Sequence, residues 1–418
     1  MELQEKTLAQ ISKNGRGYYG IGASAVPFSE ELYTYLRITD INDDGTLNMA
    51  DLKSVADENA GDYLLEPNDI VFARTGASTG RNYFYDGSDG QFVYAGFLIK
   101  FALDEKAVNP RFIKYYCMSK PYWDWISAYN TGSTRGNINA QTLASMPISL
   151  PPRDYQDKVV SILDSIESKR KRNNEINNNL EQQAILLFRS WFSSFTKSQN
   201  IQRQSSEFGE IPIDFSVVKV GSLPMLVTDY VANGSFASLK ENVTLYQEPN
   251  YAYFVRNTDL KSGSFGVYVD QHSYDFLSKS TLYGGEIIIS NVGDVGSVFL
   301  CPKLDGPMTL GNNIIMLRPE NDTLRYYLYI WFKHLQGQAL IQGIKGGSAQ
   351  PKFNKTDFKN TSVLLPPTDL LSRFHETVAP MFEKIEQNRL ENSRLSSLRD
   401  TLLPCLMSGE LDVSDLDL

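Results

Sequence analysis

The chain has 418 residues, of which 42% are hydrophobic, 12% aromatic and 21% charged, which excludes a disordered, collagen-like or disulfide-rich miniprotein and fits two or more globular domains. Its net charge of −9 argues against a broad positive surface that would hold nucleic acid without help from other proteins. Three widely spaced cysteines and the lack of any long apolar run argue against a disulfide framework, a zinc knuckle, a signal peptide and a membrane span, and predict a cytoplasmic protein.

Residues 1–152 are predicted to form a first mixed α/β domain. Short β-rich runs over 69–73 and 91–95 alternate with Gly- and Asn-rich loops and with an amphipathic stretch over 110–126. The segment Gly15-Arg-Gly17-Tyr-Tyr-Gly20 has the spacing of a dinucleotide-binding fingerprint. Because no strand pattern precedes it and no helix pattern follows it, we interpret this segment as a loop.

Two loops of this domain carry small and hydrogen-bonding side chains, one over 73–81 and one over 131–137. Glycines allow a backbone to approach DNA closely, arginine can bind guanine through two hydrogen bonds, and asparagine can bind adenine in the same way. The candidate DNA-contacting residues are Arg74, Thr75, Ser78, Thr79, Arg81, Ser133, Thr134, Arg135 and Asn137. The alternative, that these Gly-rich loops only turn corners between strands, stays open.

Residues 153–206 are predicted to form a long helix followed by a linker. Apolar residues recur at three- and four-residue steps from 153 to about 196, and no Gly or Pro interrupts them. The apolar residues of this stripe are Val159, Ile162, Ile166, Ile176, Leu180 and Leu187. The Ser-, Gln- and Asn-rich segment Lys197–Glu210 is typical of a linker.

Residues 207–367 are predicted to form a second α/β domain, with a β-rich run over 286–290 and an amphipathic stretch over 324–344. It has two loops comparable with those of the first domain, over 290–296 and 345–352. The candidate DNA-contacting residues of these loops are Asn291, Asp294, Lys345, Ser348, Gln350 and Lys352.

Residues 368–418 are predicted to form a second long helix, over about 370–403, and an acidic tail. Pro380 is expected either to kink this helix or to mark its first turn. The apolar stripe consists of Phe374, Met381, Ile385, Leu395, Leu398 and Leu402.

Both long helices are coiled-coil candidates, and Asn173 and Asn388 fall where the apolar register predicts a hydrophobic residue. Either these asparagines are buried and fix the register at a cost in stability, or they lie on a solvated face. The predicted subunit-interface residues are Ile162, Ile166, Asn173, Ile176, Leu180, Leu187, Met381, Ile385, Asn388, Leu395 and Leu402.

The chain repeats itself with a shift of 215 residues, because the segment 132–152 aligns with 347–367. The alignment pairs Asn139 with Asn354 and continues without a gap into the helices. Upstream the match is looser, and relates 33–40 to 251–259 and 68–76 to 285–293. The repeat predicts the order variable domain, helix, variable domain, helix.

Enzyme signatures are missing from the sequence. It contains no Walker lysine after a Gly-rich loop and no HExxH or GxSxG motif. His272, His334 and His375 share no metal-ligand spacing, and Asp43-Asp44 lies in a stretch typical of a turn. We therefore expect no catalytic residues and no metal site.

Together these features resemble the specificity (S) subunit of bacterial type I restriction-modification systems. The resemblance is carried by the segments 35–41, 68–81 and 402–413, by the two Leu-Pro-Pro junctions and by the long helices. It covers nearly the whole chain, although Ser290-Asn-Val-Gly293 lacks the Arg-Thr-Gly of the first domain.

The resemblance implies two target recognition domains held apart by two antiparallel helices, each domain binding one half of an interrupted double-stranded DNA target. It also implies two methyltransferase (M) subunits on the helices, with restriction (R) subunits joining them. S-adenosylmethionine, ATP and Mg are then expected on the partner subunits, and no cofactor on this chain. Two alternatives remain: the recognition subunit of a related modification or phage-defence system, and a two-domain binding protein for a non-DNA ligand such as glycan or peptide.

Overall fold

The computed structural model describes residues 3–129, 137–192, 202–347 and 350–413. Its contacts divide the chain into one unit of residues 1–169 and 394–418 and another of residues 170–393. Each unit combines strands and helices, which confirms the mixed α/β prediction. Among the described helices, none is long and apolar enough to cross a membrane.

The first unit is built on two four-stranded sheets and a short strand pair. One sheet has the order β2 (Tyr18–Tyr19), β9 (Leu98–Ala102), β6 (Asp69–Ala73) and β7 (Asn82–Tyr85), all antiparallel. The other has the order β3 (Ala25–Pro27), β5 (Lys53–Val55), β4 (Tyr33–Leu36) and β8 (Phe92–Tyr94), with β4 and β8 parallel. The strand pair is β1 (Gln4–Thr7) with β10 (Pro147–Leu150), and the helices are α1 (Pro110–Tyr116), α2 (Lys120–Tyr129), α3 (Ala140–Ala144) and the first part of α4 (Arg153–Phe192).

The second unit has a four-stranded sheet in the order β14 (Met225–Asp229), β22 (Ile314–Pro319), β19 (Ile287–Ser290) and β20 (Val298–Leu300). A five-stranded sheet follows the order β15 (Leu245–Tyr246), β17 (Tyr268–Val269), β16 (Ala252–Val255), β21 (Met308–Leu310) and β18 (Thr281–Leu282). The strand pairs are β11 (Arg203–Ser206) with β12 (Gly209–Pro212) and β13 (Ser216–Lys219) with β23 (Ser362–Leu365). The helices are α5 (Phe236–Asn242), α6 (Asn257–Ser262), α7 (Gln271–Phe276), α8 (Thr323–Lys333), α9 (Leu335–Gly343), α10 (Lys355–Lys359) and α11 (Thr368–Ser408), which enters the first unit at residue 394.

The internal repeat is visible in side-chain hydrogen bonds as well as in strand order. Asn139 accepts a hydrogen bond from the backbone N–H of Thr142 at 2.8 Å and starts α3, and its counterpart Asn354 starts α10 with the same 2.8 Å bond. After β4 the guanidinium of Arg37 binds Asp40 at 2.6 Å, and after β16 Arg256 binds Asp259 at the same distance. The repeated sequence therefore forms the same helix cap and the same Arg–Asp ion pair in both units.

Each unit buries apolar residues from its sheets together with parts of the two long helices. In the first, Phe72 and Phe112 share a core with Leu163 of α4 and Leu406 of α11. In the second, Trp331 of α8 belongs to a core that also includes Phe188 of α4 and Phe374 of α11. The long helices are thus part of both cores, where apolar burial stabilises the fold.

The second long helix begins earlier and ends later than predicted, and the expectation that Pro380 marks its first turn is wrong. Pro380 lies within the continuous helix α11, on its exposed side. Water can bind the carbonyl that Pro380 leaves unpaired there, while Val378 and Phe382 on either side of it are buried. The predicted end of the first helix, at 196, lies outside the described residues.

Two other expectations need correction. Part of the predicted linker is the β11–β12 hairpin, because Gly209 adopts a φ of 86° at the turn and Gln204 donates to the carbonyls of Ile213 and Phe215. The predicted loop over 15–20 contains strand β2, which pairs with β9.

Candidate DNA-recognition loops and helix seam

In the first unit, the structure brings the two predicted loops together. The first loop joins β6 to β7, and Thr75 pairs with Asn137 of the second loop in an antiparallel bridge. The backbone N–H of Ile138 donates to the carbonyl of Arg74 at 2.9 Å, and the N–H of Arg74 donates to the carbonyl of Phe97 at 3.1 Å. Three chain segments therefore fix the backbone at Arg74.

The other candidate residues of this loop differ in how available they are. Thr79 is buried, and its hydroxyl donates to the carbonyl of Gly76 at 2.7 Å, which closes the turn. The guanidinium of Arg81 binds the carboxylate of Asp43 at 2.7 Å and the carbonyl of Ile41 at 3.2 Å. Ser78 is partly buried and Asn137 is exposed. The candidates Ser133, Thr134 and Arg135, and Ser348 of the second domain, lie outside the described residues.

The second unit repeats this arrangement with different side chains. Val292 pairs with Lys352 in an antiparallel bridge, as Thr75 pairs with Asn137. The backbone N–H of Asn291 donates to the carbonyl of Asn313 at 3.1 Å. This bond is the equivalent of the one between the Arg74 N–H and the Phe97 carbonyl in the first unit. Arg74 and Asn291 therefore occupy equivalent positions on one backbone framework.

Side chains around Asn291 hold this second loop in place. The Asn291 amide donates to the carbonyl of Phe353 at 3.1 Å, and its side-chain oxygen is buried without a hydrogen-bond partner among the described residues. Asp294 binds Lys261 at 2.6 Å and Ser297 at 2.6 Å. Burial alone would raise the pKa of Asp294, but these hydrogen bonds lower that pKa below its usual value.

A groove of about 750 Å³ opens beside this loop in the second unit. It is lined by Asn291, Asn313 and Lys352 and by Phe236, whose side chain is 81% exposed. Lys345, Gln350 and Lys352 are exposed. Sequence reasoning missed Phe97 and Asn313, because each reaches its loop through a backbone bond between distant segments that no local motif marks.

The seam between the two long helices is polar at its centre. In the second unit, the amide of buried Asn173 donates to Asn392 at 2.9 Å, and that of buried Asn388 donates to Asn177 at 2.8 Å. The two bonds are equivalent in the repeat, because the shift of 215 residues pairs Asn173 with Asn388 and Asn177 with Asn392. Asn173 also donates to Glu391 at 2.8 Å. Of the two alternatives that the sequence left open for Asn173 and Asn388, the structure shows the buried one.

In both units, the helix segments run in opposite directions. In the second, residues near 173 contact residues near 392, whereas Trp191 packs against Phe374. In the first, Arg399 binds Glu167 at 3.1 Å, and the Tyr155 hydroxyl donates to the carbonyl of Leu411 at 2.8 Å. The pairing within each unit is antiparallel, as predicted.

Most of the apolar residues predicted as subunit-interface residues are buried or partly buried within the chain. Ile166 and Ile385 are buried, and Ile162, Leu180, Leu187, Met381, Leu395 and Leu402 are partly buried. Ile176 and Leu398, which the spacing assigns to the apolar stripes, are 38% and 47% exposed. The three- and four-residue spacing places Asn177 and Arg399 in the seam instead.

No group of described His, Cys, Asp or Glu side chains could hold a metal ion. The strongest polar cluster on the helices is Glu181 with Lys333 at 2.6 Å and the hydroxyl of Tyr329. Burial opposes ionisation of Glu181, but Lys333 and Tyr329 lower its pKa below the usual value. This cluster joins α4 to α8.

Comparison with known proteins identifies the family. A family model described as type I restriction modification DNA specificity domain matches residues 27–182 and 228–395. The chain belongs to this family. It is accordingly a DNA specificity subunit of a type I restriction-modification system, and a non-catalytic subunit.

Individual relatives have the same description. The chain is 28% identical to the type I restriction enzyme MjaIX specificity subunit of Methanocaldococcus jannaschii, over 75% of this chain and 72% of the relative. It is 22% identical to the HindI specificity subunit of Haemophilus influenzae, over 83% and 87%. The fold is similar to the crystal structure of the S subunit from M. genitalium, with a TM-score of 0.51 and 17% identity over 97% and 96% of the two chains.

Proposed function

We propose that this specificity subunit reads an interrupted double-stranded DNA target, with one half-site bound by residues 1–152 and the other by residues 207–367. The observation that carries the proposal is the repeated loop framework. Thr75 and Asn137 in one unit, and Val292 and Lys352 in the other, form the same bridge. A constant backbone with different side chains is what two readers of different sequences require.

The side chains on the two frameworks differ in the hydrogen bonds that they offer to bases. Arg74 presents only donors, which suit the N7 and O6 acceptors of guanine. Asn291 stands at the equivalent position, and its amide has the donor and acceptor that suit adenine once the side chain turns away from the Phe353 carbonyl. The exposed lysines Lys345 and Lys352 are placed to neutralise phosphates. The remaining candidates, including Asn137 and Gln350, stay predictions for the same loops.

The segments 153–206 and 368–418 are proposed to bind two methyltransferase subunits and, through the assembled complex, restriction subunits. Exposed apolar side chains on the helices support this role. Leu186 is 61% exposed on α4 and Leu398 is 47% exposed on α11, so each long helix carries an apolar side chain that a partner subunit would cover. Ile176, predicted as a subunit-interface residue, belongs to this exposed group.

We assign no cofactor to this chain in the proposed complex. S-adenosylmethionine, ATP and Mg would be held by the methyltransferase and restriction subunits, in the cytoplasm where the DNA lies. The net charge of −9 supports this division of labour, because partner subunits would then supply many of the phosphate contacts.

Coexpression with the methyltransferase subunit of the same system tests the proposal. We expect the two proteins to copurify, and single-molecule sequencing of the host genome to show a new bipartite motif that is methylated once in each half. Copurification without new methylation, or a motif in one uninterrupted block, would contradict the assignment of two half-sites to two domains.

A further inference from the structure

The side chain of Arg74 lies against an aromatic ring at the edge of the first unit's sheet. The guanidinium carbon is 5.0 Å from the centre of the Tyr19 ring. Tyr19 is the last residue of β2, and it pairs with Ile99 of β9. An arginine stacked on an aromatic face keeps its planar fork in one orientation and leaves its N–H groups free at the edge.

The Tyr19 ring is itself held in place. Its hydroxyl accepts a hydrogen bond from the backbone N–H of Ala140 at 3.1 Å, at the start of α3. The next residue, Gly20, passes so close to β8 that an added Cβ would be 2.2 Å from the carbonyl of Tyr94. The backbone N–H of Ile21 donates to the same carbonyl at 3.1 Å and holds the strand end against β8, so Tyr19 provides a fixed platform although it is 43% exposed.

Arg74 has no counter-ion among the described residues, unlike Arg37 and Arg81. Arg37 is bound by Asp40 and Arg81 by Asp43. The Arg74 backbone is bonded on both sides, yet its Nε is buried without a described hydrogen-bond partner. A positioned guanidinium with unused donors is suited to bind a ligand that offers two acceptors.

We propose that Tyr19 is a positioning residue that orients Arg74 for two hydrogen bonds with the N7 and O6 atoms of a guanine in one half-site. This inference rests on the proposed function, and deepens it by naming the base and the residue that sets the geometry. Discrimination comes from the two acceptors of guanine, which no other base presents in the major groove.

The second domain lacks this platform, so the inference applies to one half-site only. Asp229 pairs with Ile315 at the end of β14 as Tyr19 pairs with Ile99 at the end of β2. Its carboxylate binds Lys355 at 2.9 Å, and the repeat relates Lys355 to Ala140. The same position therefore holds an ion pair in one domain and an arginine platform in the other.

The test uses the purified complex with the methyltransferase subunit and target duplexes in which single guanines are replaced by 7-deazaguanine, which lacks the N7 acceptor. At one guanine, we expect the wild-type complex to bind about tenfold or more weakly, which corresponds to one lost charge-assisted hydrogen bond. The Arg74→Ala complex should show no such loss at that guanine, and all other guanines should behave alike in both complexes.

Tyr19 is then tested with variants that separate the ring from its hydroxyl. In Tyr19→Leu the 7-deazaguanine effect should shrink at the same guanine, whereas Tyr19→Phe keeps the ring and should retain most of it. Tyr18→Leu is the matched control, since Tyr18 is the adjacent residue of β2 and its hydroxyl bonds to Arg16. A merely structural role of Tyr19 would weaken binding to every duplex by the same factor.

Several outcomes would overturn the inference while leaving the proposed function intact. One is a bipartite target in which no guanine responds to Arg74→Ala. Another is an unchanged 7-deazaguanine effect in Tyr19→Leu. Should Tyr19→Leu fail to assemble, a 7-deazaguanine effect lost in Tyr19→Phe would also contradict it. The proposed function fails separately, if the wild-type complex methylates no bipartite motif.

Discussion

At the scale of single residues, His334 couples the stability of the second unit to pH. Its ring packs against Phe188 with centroids 5.7 Å apart, and its Nδ1 is buried without a hydrogen-bond partner among the described residues. Burial, assisted by the charge of Arg189, lowers the pKa of His334. Protonation therefore costs more in the folded than in the unfolded chain.

We predict that the free energy of unfolding is highest above about pH 6.5, the usual histidine pKa, and falls as the pH drops towards the lowered value in the folded chain. In His334→Gln this part of the decline should disappear. The measurement is urea unfolding at pH 7.5 and pH 5.5, with His272→Gln as the control because His272 is exposed. An identical decline in wild type and His334→Gln would refute the prediction.

At the scale of elements, helix α4 carries two isoleucines, one buried and one exposed, whose truncation can be compared. Ile166 is buried, with 7% of its surface exposed, whereas Ile176 is 38% exposed. We predict that Ile166→Ala lowers the free energy of unfolding by about 2–5 kcal/mol, as in other buried apolar truncations. Ile176→Ala should change it by about 0.5 kcal/mol or less.

The measurement is urea denaturation of the two variants. Their midpoints are compared on condition that the dependence of the unfolding free energy on urea concentration is the same in both. Copurification of the methyltransferase subunit gives a second readout, in which Ile176→Ala should have the larger effect if this side chain faces a partner. Equal destabilisation by the two substitutions would mean that Ile176 packs inside the fold after all.

The asparagines at the centre of the seam lead to another prediction. Replacing buried Asn173 by Leu removes its hydrogen bonds to Asn392 at 2.9 Å and to Glu391 at 2.8 Å, which should cost about 1–3 kcal/mol. Replacing Asn173 and Asn392 together by Leu should cost less than the sum of the single changes, because the hydrogen bond between them is then lost only once.

A double-mutant cycle measures this coupling, with Asn178→Leu as the control at an exposed position of the same helix. Strictly additive effects of Asn173→Leu and Asn392→Leu would show that their hydrogen bond contributes nothing to pairing.

The sequence predicted the seam only in part, and the reason is physical. The helical periodicity of apolar residues indicated Ile176 as a seam residue. In the structure the neighbouring Asn177 lies in the seam, where it accepts a hydrogen bond from Asn388. The paired asparagines satisfy each other, so a polar residue there is compatible with burial. Asn173 and Asn388 were identified because the repeat marked them twice.

At the scale of the whole molecule, the internal repeat predicted the duplicated architecture, but it did not predict that the two loops of each unit lie side by side. It could not identify Tyr19, Phe97 or Asn313 as neighbours of those loops. Their placement depends on strand register and on backbone hydrogen bonds between distant segments, which the alignment of local motifs does not encode. The half-site assignments likewise depend on side-chain orientation.

The central claim is that each recognition domain reads its own half of the target. The most direct test maps methylated bases in cells that express the methyltransferase subunit with wild-type chain, with Arg74→Ala or with Asn291→Ala. We predict that Arg74→Ala relaxes the motif in one half only and that Asn291→Ala relaxes it in the other half only. Loss or relaxation of both halves together by either single substitution would contradict the claim.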